Sequence, residues 1–338
     1  MAIEKIRNTN FRPDSLARIE QLASIVKEYQ GQGLRLTARQ LYYQLVSRDI
    51  IANSVAEYKK LTSLLTDARY AGLIDWAAIE DRNREPNTPS EWDDPAQLVE
   101  SALRAYRLPR WEGQPAYVEL WVEKAALAGV LEPLAREFHA TLMVNRGYSS
   151  ASAMYESAER IKKATITDQD ALDDLWKGEE AAEAAELPKG SPEREAIIAK
   201  LRARACKLVR PSFVLYLGDH DPSGEDMVRD VQERLDEFGC WFLTVEKVGL
   251  TIAQVKQYNP PPNPAKITDS RAKAYIEKFG HHSWEVDALP PQVLAQLIRA
   301  ASRKHVDKAK MDKIKKREET DKELLRKAVA GMMKGRTP

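Results

Sequence analysis

The chain has 338 residues, more than one compact core usually holds, so two domains are expected. Its 43% hydrophobic and 30% charged content is that of a soluble globular protein, and a net charge of +1 excludes a whole-molecule attraction to nucleic acid, so any basic surface has to be local. Cys206 and Cys240 are the only cysteines, which excludes a disulfide framework or a four-cysteine zinc site, and no run approaches the ~18 apolar residues that span a bilayer. With no apolar signal core in Met1–Arg7, the expectation is a cytoplasmic protein with no membrane partner.

In chain order, Leu16, Ile19, Leu22 and Val26 fall at helical spacing after Pro13-Asp14, predicting an amphipathic helix over 15–30. Thr37-Ala38-Arg39-Gln40 and Ser54-Val55-Ala56-Glu57 both have the form of a capping box. They predict helices over about 38–47 and 54–72, the second closed by Gly72, with 48–53 as the turn between them. This is a helix-turn-helix outline, and 73–79 would supply the wing strand of a winged helix. The polar stretch 81–95 reads as a linker or lid.

From Ala116 the period changes. Strands are predicted over 117–122, 141–144, 212–217 and 241–245, alternating with helices over 125–138, 150–163 and 225–238. Such alternation defines an α/β fold with a mainly parallel sheet. An acidic, alanine-rich stretch and a more basic one break the rhythm between Thr165 and Ala205, which predicts a helical hairpin inserted on the surface. After Arg299 lysine and arginine exceed acidic residues, giving a basic helical tail able to touch phosphates. The expected division is therefore a DNA-binding domain over 1–85, a linker over 86–112, an α/β domain over 113–300 with its insertion at about 165–205, and the tail over 301–338.

Glu123 falls at the carboxyl end of the first predicted strand of the α/β domain, and Asp219-His220-Asp221 just past the third. In open parallel sheets the crevice beyond the carboxyl ends of the strands is where ligands bind. Asp219 and Asp221, two apart in extended backbone, direct their side chains to one side. Three carboxylates brought together without nearby Lys or Arg in the motif repel one another, and a hard cation such as Mg²⁺ relieves that repulsion. A metal held there stabilises charge on a phosphodiester under attack. The bland reading of Asp-His-Asp-Pro-Ser-Gly alone is a turn rich in aspartate. His139, His220, His281, His282 and His305 show no metal-ligand spacing with the cysteines, His220 reads as a loop side chain, and no phosphate-cradling glycine pattern implies a nucleotide cofactor.

The pieces Val122-Glu123-Lys124, Asn145-Arg146-Gly147-Tyr148, Leu217-Gly218-Asp219-His220-Asp221-Pro222-Ser223-Gly224 and Trp284-Glu285-Val286-Asp287-Ala288-Leu289 occur in the order found in a Toprim domain. Over about Leu34 to Ala300, the 165–205 insertion excepted, the chain resembles the A subunit of topoisomerase VI and its meiotic double-strand-break relative. The resemblance implies Mg²⁺ held by Glu123, Asp219 and Asp221. Thr37-Ala38-Arg39-Gln40-Leu41-Tyr42-Tyr43 is similar to the winged-helix element of that family, whose second tyrosine attacks DNA and becomes joined to its 5′ end; the matching residue is Tyr43. It also implies a homodimer, with the tyrosine of one subunit meeting the metal of the other, and a separate ATPase subunit as possible partner.

Helical geometry agrees about the tyrosines. Ala38, Leu41, Tyr42, Leu45 and Val46 share an apolar arc, leaving Tyr43 and Arg39 side by side on the polar face. A phenol with an ordinary pKa near 10 is a poor nucleophile at neutral pH, and the Arg39 guanidinium would help form phenolate. On the next helix Tyr58, Leu61, Leu65 and Ala68 form the apolar face, leaving Lys59, Lys60, Ser63, Thr66 and Arg69 for phosphates or groove edges. Three functions follow: a tyrosine transesterase that breaks DNA, a Toprim nuclease that uses activated water, and a non-catalytic DNA-binding protein.

Overall fold

The computed structural model describes residues 5–32, 35–79, 89–145 and 147–334, with side chains to residue 330. The chain divides into two compact units, one built from 1–85, 118–160 and 213–301, the other from 86–117, 161–212 and 302–338. The fold is α/β, and among the described residues no helix is long and apolar enough to cross a membrane.

The first unit begins with three helices, α1 (Pro13–Gln30), α2 (Ala38–Ser47) and α3 (Val55–Tyr70). Ile19, Leu22, Leu41, Leu45, Leu61 and Leu65 interlock in their common core. Leu16, expected to pack, is 42% exposed, and α1 starts at Pro13 without a side-chain cap. The box at the start of α2 is complete: the Gln40 N–H donates to Thr37 Oγ1 at 3.2 Å and the Thr37 N–H to Gln40 Oε1 at 2.9 Å. Ser54 accepts from the Glu57 N–H at 3.2 Å, but the Glu57 carboxylate binds Lys60 at 2.7 Å rather than turning back, so this second box is half formed. Gly72 takes the positive φ of 71° that ends the helix, as expected. The expected wing strand is instead a single 3₁₀ turn over Trp76–Ala78 and one parallel bridge between Leu36 and Ile79. Asp75 caps that turn through the Ala77 N–H at 3.0 Å, and this local bond competes successfully with extension.

The sheet of this unit comprises β1 (Tyr117–Val122), β2 (Thr141–Val144), β3 (Ser212–Leu217) and β4 (Leu243–Gly249), in the parallel order β2-β1-β3-β4. The first three strands have the bounds that their apolar runs predict. Every residue of β1 is buried and β3 is nearly so, as central strands covered on both faces require. Glu119 is tolerated inside β1 because Arg160 meets both its oxygens at 2.8 and 2.9 Å and the Trp121 indole donates to it at 2.9 Å. β4 lies two residues later than expected and continues through Glu246 and Lys247. It is an edge strand, which accommodates charges that an apolar pattern does not anticipate. Helices α5 (Ala128–Phe138), α6 (Ala151–Thr165) and α10 (Pro222–Glu237) follow β1, β2 and β3 in the chain. The segment after β4 holds α11 (Ile252–Tyr258), α12 (Ala272–Phe279), the hairpin β5 (Asn263–Pro264) with β6 (His282–Ser283), and α13 (Pro291–Arg303).

The second unit gathers the segments read as linker, insertion and tail. It contains α4 (Pro95–Ala105), α7 (Gln169–Lys177), α8 (Glu179–Glu186), α9 (Pro192–Ala205) and the long α14 (Lys308–Lys334). The insertion is three helices rather than a hairpin. Glu318 of α14 is buried, accepting from Arg110 at 2.9 and 3.2 Å and from Lys322 at 3.0 Å, so the basic tail is packed as far as Lys322, while Leu324 and Leu325 beyond it are exposed. Of the linker, residues up to 88 lie outside the described residues, and the rest carries α4.

Thr37→Ala removes a complete reciprocal cap and is expected to cost about 1 kcal/mol. Ser54→Ala, which removes half of one, is expected to cost less; urea unfolding of the two variants measures the difference.

Candidate active site

The strand order reverses between β1 and β3: from β1 the chain moves outward to β2, and from β3 to β4 on the other side. A crevice opens at such a switch point, beyond the carboxyl ends of the two central strands. Glu123 follows β1 and Asp219 follows β3, and the Asp219 N–H donates to Glu123 Oε2 at 3.2 Å. Two glycines permit this closeness. A Cβ on Gly218 would stand 2.9 Å from Glu123 Oε2 and 2.7 Å from the Tyr216 ring, and one on Gly224 would stand 2.3 Å from the Asp219 carbonyl oxygen. Asp221 is the N-cap of α10, accepting from the Gly224 N–H at 2.6 Å and the Ser223 hydroxyl at 2.8 Å.

The expectation of carboxylates without a nearby Lys or Arg is overturned by the residue beside Glu123. Lys124 Nζ lies 2.9 Å from Asp219, 2.9 Å from Glu285 and 3.0 Å from Asp287. Glu285 and Asp287 belong to a 3₁₀ turn and its cap after β6, and the Val286 N–H donates to Asp219 Oδ1 at 2.8 Å. Arg39 of α2 reaches the same turn, bonding Glu285 and lying 3.3 Å from Asp287. Arg39, Lys124, Asp219, Glu285 and Asp287 thus form one continuous charge network joining α2 to the sheet edge. The only signals for Glu285 and Asp287 in the sequence were the family-like piece around them and their own charge; nothing in their spacing tied them to Glu123.

Burial penalises charge here unevenly. Burial would push the Lys124 ammonium down, but Asp287, Asp219 and Glu285 reverse this and hold it above the usual lysine range. Burial would likewise raise Glu285, yet Lys124 and Arg39 outweigh it and hold the carboxyl down to about 2. Burial raises Glu123, with Asp221 adding to the rise while Asp219 and Lys124 oppose it. Burial also pushes Asp219 up to about 7, against Lys124 and with Glu123 and Asp287 adding to the rise.

Lys247, which bonds the Asp219 carbonyl at 2.9 Å and Glu225 at 2.5 Å, also lowers Glu123, yet burial outweighs the cations at this edge and leaves Glu123 and Asp219 raised. Hard oxygen donors short of positive charge suit Mg²⁺. Among the described residues, however, no three acidic, histidine or cysteine side chains stand as a preformed ligand cluster, because Lys124 lies on Asp219 and Asp221 faces its own helix.

Tyr43 departs from its expected position. It is 2% exposed rather than on a solvated face, because the 3₁₀ turn after β6 covers that side of α2. Helical periodicity does not register a neighbour supplied from a segment more than 200 residues away. Burial pushes the phenol up, Glu285 and Asp287 push it further, and the opposing Arg39 guanidinium, 5.8 Å over the ring, does not compensate. The expected activation of the phenol by Arg39 is thus outweighed. Tyr42 is core as expected, its hydroxyl donating to Asn53 at 2.8 Å. His220, expected in a loop, is buried against Tyr275, Phe279 and Trp284, and its Nδ1 lies 2.8 Å from the Tyr275 hydroxyl. Burial lowers its pKa.

On α3, Leu61, Leu65 and Ala68 are buried, while Lys59, Lys60, Ser63 and Thr66 face solvent. Lys60 is held by Glu57, and the Thr66 hydroxyl bonds the Thr62 carbonyl at 2.9 Å. Arg69 is not on that open face: it stacks 4.4 Å over Trp76 and donates to the Trp76 carbonyl at 2.9 Å. Of the residues expected to contact DNA, Lys59 and Ser63 are the least engaged. Arg146 of the Asn-Arg-Gly-Tyr piece lies outside the described residues.

No family model matches the chain, and no curated protein and no solved structure matches it.

Lys124→Met strands Asp219, Glu285 and Asp287 without their shared cation and is expected to lower stability by about 3 kcal/mol. Adding Asp287→Asn to that variant is expected to recover part of the loss, as a double-mutant cycle by urea unfolding would register. Asp219 sits higher in the folded than in the unfolded chain, so it withdraws stability as pH rises from about 4 toward 7. Asp219→Asn lacks that titration, and its stability relative to the parent is expected to improve from pH 5 to pH 8.

Proposed function

We propose that this chain is a Toprim-like, Mg²⁺-dependent protein that cleaves DNA, with Tyr43 as the attacking group in the manner of the topoisomerase VI A subunit. The observation that carries the reading is the meeting of Glu123 and Asp219 at the switch point of the sheet, in a single network with Arg39 of the helix that bears Tyr43. Glu123, Asp219 and Asp221 would hold the metal, which when bound would stabilise charge on the phosphodiester and its leaving oxygen.

The residues of the chain perform the remaining tasks. Tyr43 Oη attacks phosphorus, the 3′ oxygen leaves as a hydroxyl, and a 5′-phosphotyrosyl bond forms. Glu285, within hydrogen-bonding reach of the Tyr43 phenol, orients that hydroxyl. Its low pKa makes it a weak base, so proton removal at Tyr43 is the costly part of this route. Arg39 lowers that cost by its charge. The N-terminal helices carry a helix-turn-helix outline and, in this reading, a winged-helix role without a full wing strand, with Lys59, Lys60, Ser63 and Thr66 toward the phosphates. The homodimer and the separate ATPase subunit belong to the same proposal.

The burial and raised pKa of Tyr43 favour one alternative, hydrolysis by water at the same acidic site. End-labelled supercoiled and linear DNA incubated with Mg²⁺, then run on denaturing gels with and without protease, distinguishes the two. Covalent attack predicts a protease-sensitive retarded band that Tyr43→Phe abolishes. Hydrolysis predicts free fragments that survive Tyr43→Phe, and Asp219→Ala/Asp221→Ala is expected to abolish both products. Undiminished cutting by that double variant would sink the metal site.

A further inference from the structure

Asp219, one of the three acids proposed to hold Mg²⁺, has both of its carboxylate oxygens engaged. The Val286 N–H donates to Oδ1 at 2.8 Å, and the Lys124 ammonium lies 2.9 Å from Oδ2. Glu123 and Asp221 are bonded through Oε2 and Oδ1, and among the described residues no hydrogen bond reaches their second oxygens. The position that a dication would take on Asp219 is therefore held by a cation of the chain itself. The Lys124 side chain is only 20% exposed, so water screens this contact weakly. An ammonium and a dication on one carboxylate oxygen repel each other, and one of them has to yield.

The same lysine has somewhere to go. Its Nζ already lies 2.9 Å from Glu285 and 3.0 Å from Asp287. The Asp287 side chain is fully buried, and its Oδ2 accepts no hydrogen bond, although Arg39 Nε lies 3.3 Å away. A flexible four-carbon stem lets Nζ leave Asp219, keep two carboxylates and approach that unfilled acceptor. We infer that Lys124 is a stand-in for the metal: it neutralises Asp219 in the metal-free protein, withdraws onto Glu285 and Asp287 when Mg²⁺ binds, and so holds the metal affinity below what the three acids alone would give. This rests on the proposed Mg²⁺ site and deepens it by naming the residue that governs its occupancy.

The test is Mg²⁺ binding to the full chain without DNA, by isothermal titration calorimetry, with loss of the free Mn²⁺ electron paramagnetic resonance signal as a second measure. Removing one charged competitor of ordinary strength is expected to tighten binding roughly ten-fold or more in Lys124→Met and Lys124→Gln. Lys124→Arg, which keeps the charge, is expected to bind no more tightly than the parent. Thermal melts in EDTA establish that the variants are folded; Lys124→Gln, which keeps a donor for the acids, carries the comparison if Lys124→Met does not fold. In the parent, a crystal structure with Mn²⁺ bound is expected to show Nζ off Asp219 and on Glu285 and Asp287. A purely structural clamp predicts the opposite order, with the neutral variants binding metal no better than the parent and Lys124→Arg closest to it. That order, or Nζ still on Asp219 beside bound Mn²⁺, would overturn the inference alone. Absence of binding, or binding that Asp219→Ala leaves intact, would overturn the metal site and the inference with it. Tighter binding by Lys124→Gln with no Mg²⁺-dependent DNA cutting by the parent would support the inference and overturn the cleavage reading.

Discussion

The placement of Lys124 inside a ring of carboxylates is the constraint on which the rest of the site depends. One ammonium touches Asp219 from the end of β3 and Glu285 and Asp287 from the turn after β6. Each of those acids would be costly to bury alone, and together they would repel. With the lysine between them they become a clamp that ties the last part of the first unit to the carboxyl edge of its sheet. Arg39 extends the clamp to α2, so the helix carrying Tyr43 is fixed by charge as well as by its apolar face.

The same arrangement explains why the acids differ in character. Glu285 lies between Lys124 and Arg39 and is held as a carboxylate, whereas Glu123 and Asp219, deeper and less compensated, are held above their ordinary range. An added hard cation would act where compensation is weakest, at the edge where the strand order reverses. Tyr43 feels the opposite side of this balance. It is buried beside Glu285 and Asp287, which favour its neutral phenol, while Arg39 and the Asn263 side chain favour the phenolate.

Much of the frame was legible in the residues themselves. Apolar runs marked β1, β2 and β3 because buried parallel strands need apolar side chains on both faces. The box at Thr37 marked the start of α2 because it is a bond between residues three apart. The strand-end positions of Glu123 and Asp219 followed from the same local patterns. Residues 73–79 carry the pattern of a strand, but the cap from Asp75 makes a 3₁₀ turn of Trp76–Ala78. β4 was misplaced because an edge strand carries charge.

The sequence by itself thus determined the α/β alternation, the capped starts of α2 and α3 and the carboxylates at one sheet edge, all of which rest on short-range periodicity and hydrogen bonding. Only the tertiary structure decided which charges meet. Lys124 is paired, Tyr43 is buried and His220 is enclosed because residues 220 to 288 fold back over the sheet edge and over α2. Those contacts join residues as far as 246 positions apart, and pattern within a helix or strand carries no information about a partner at that distance.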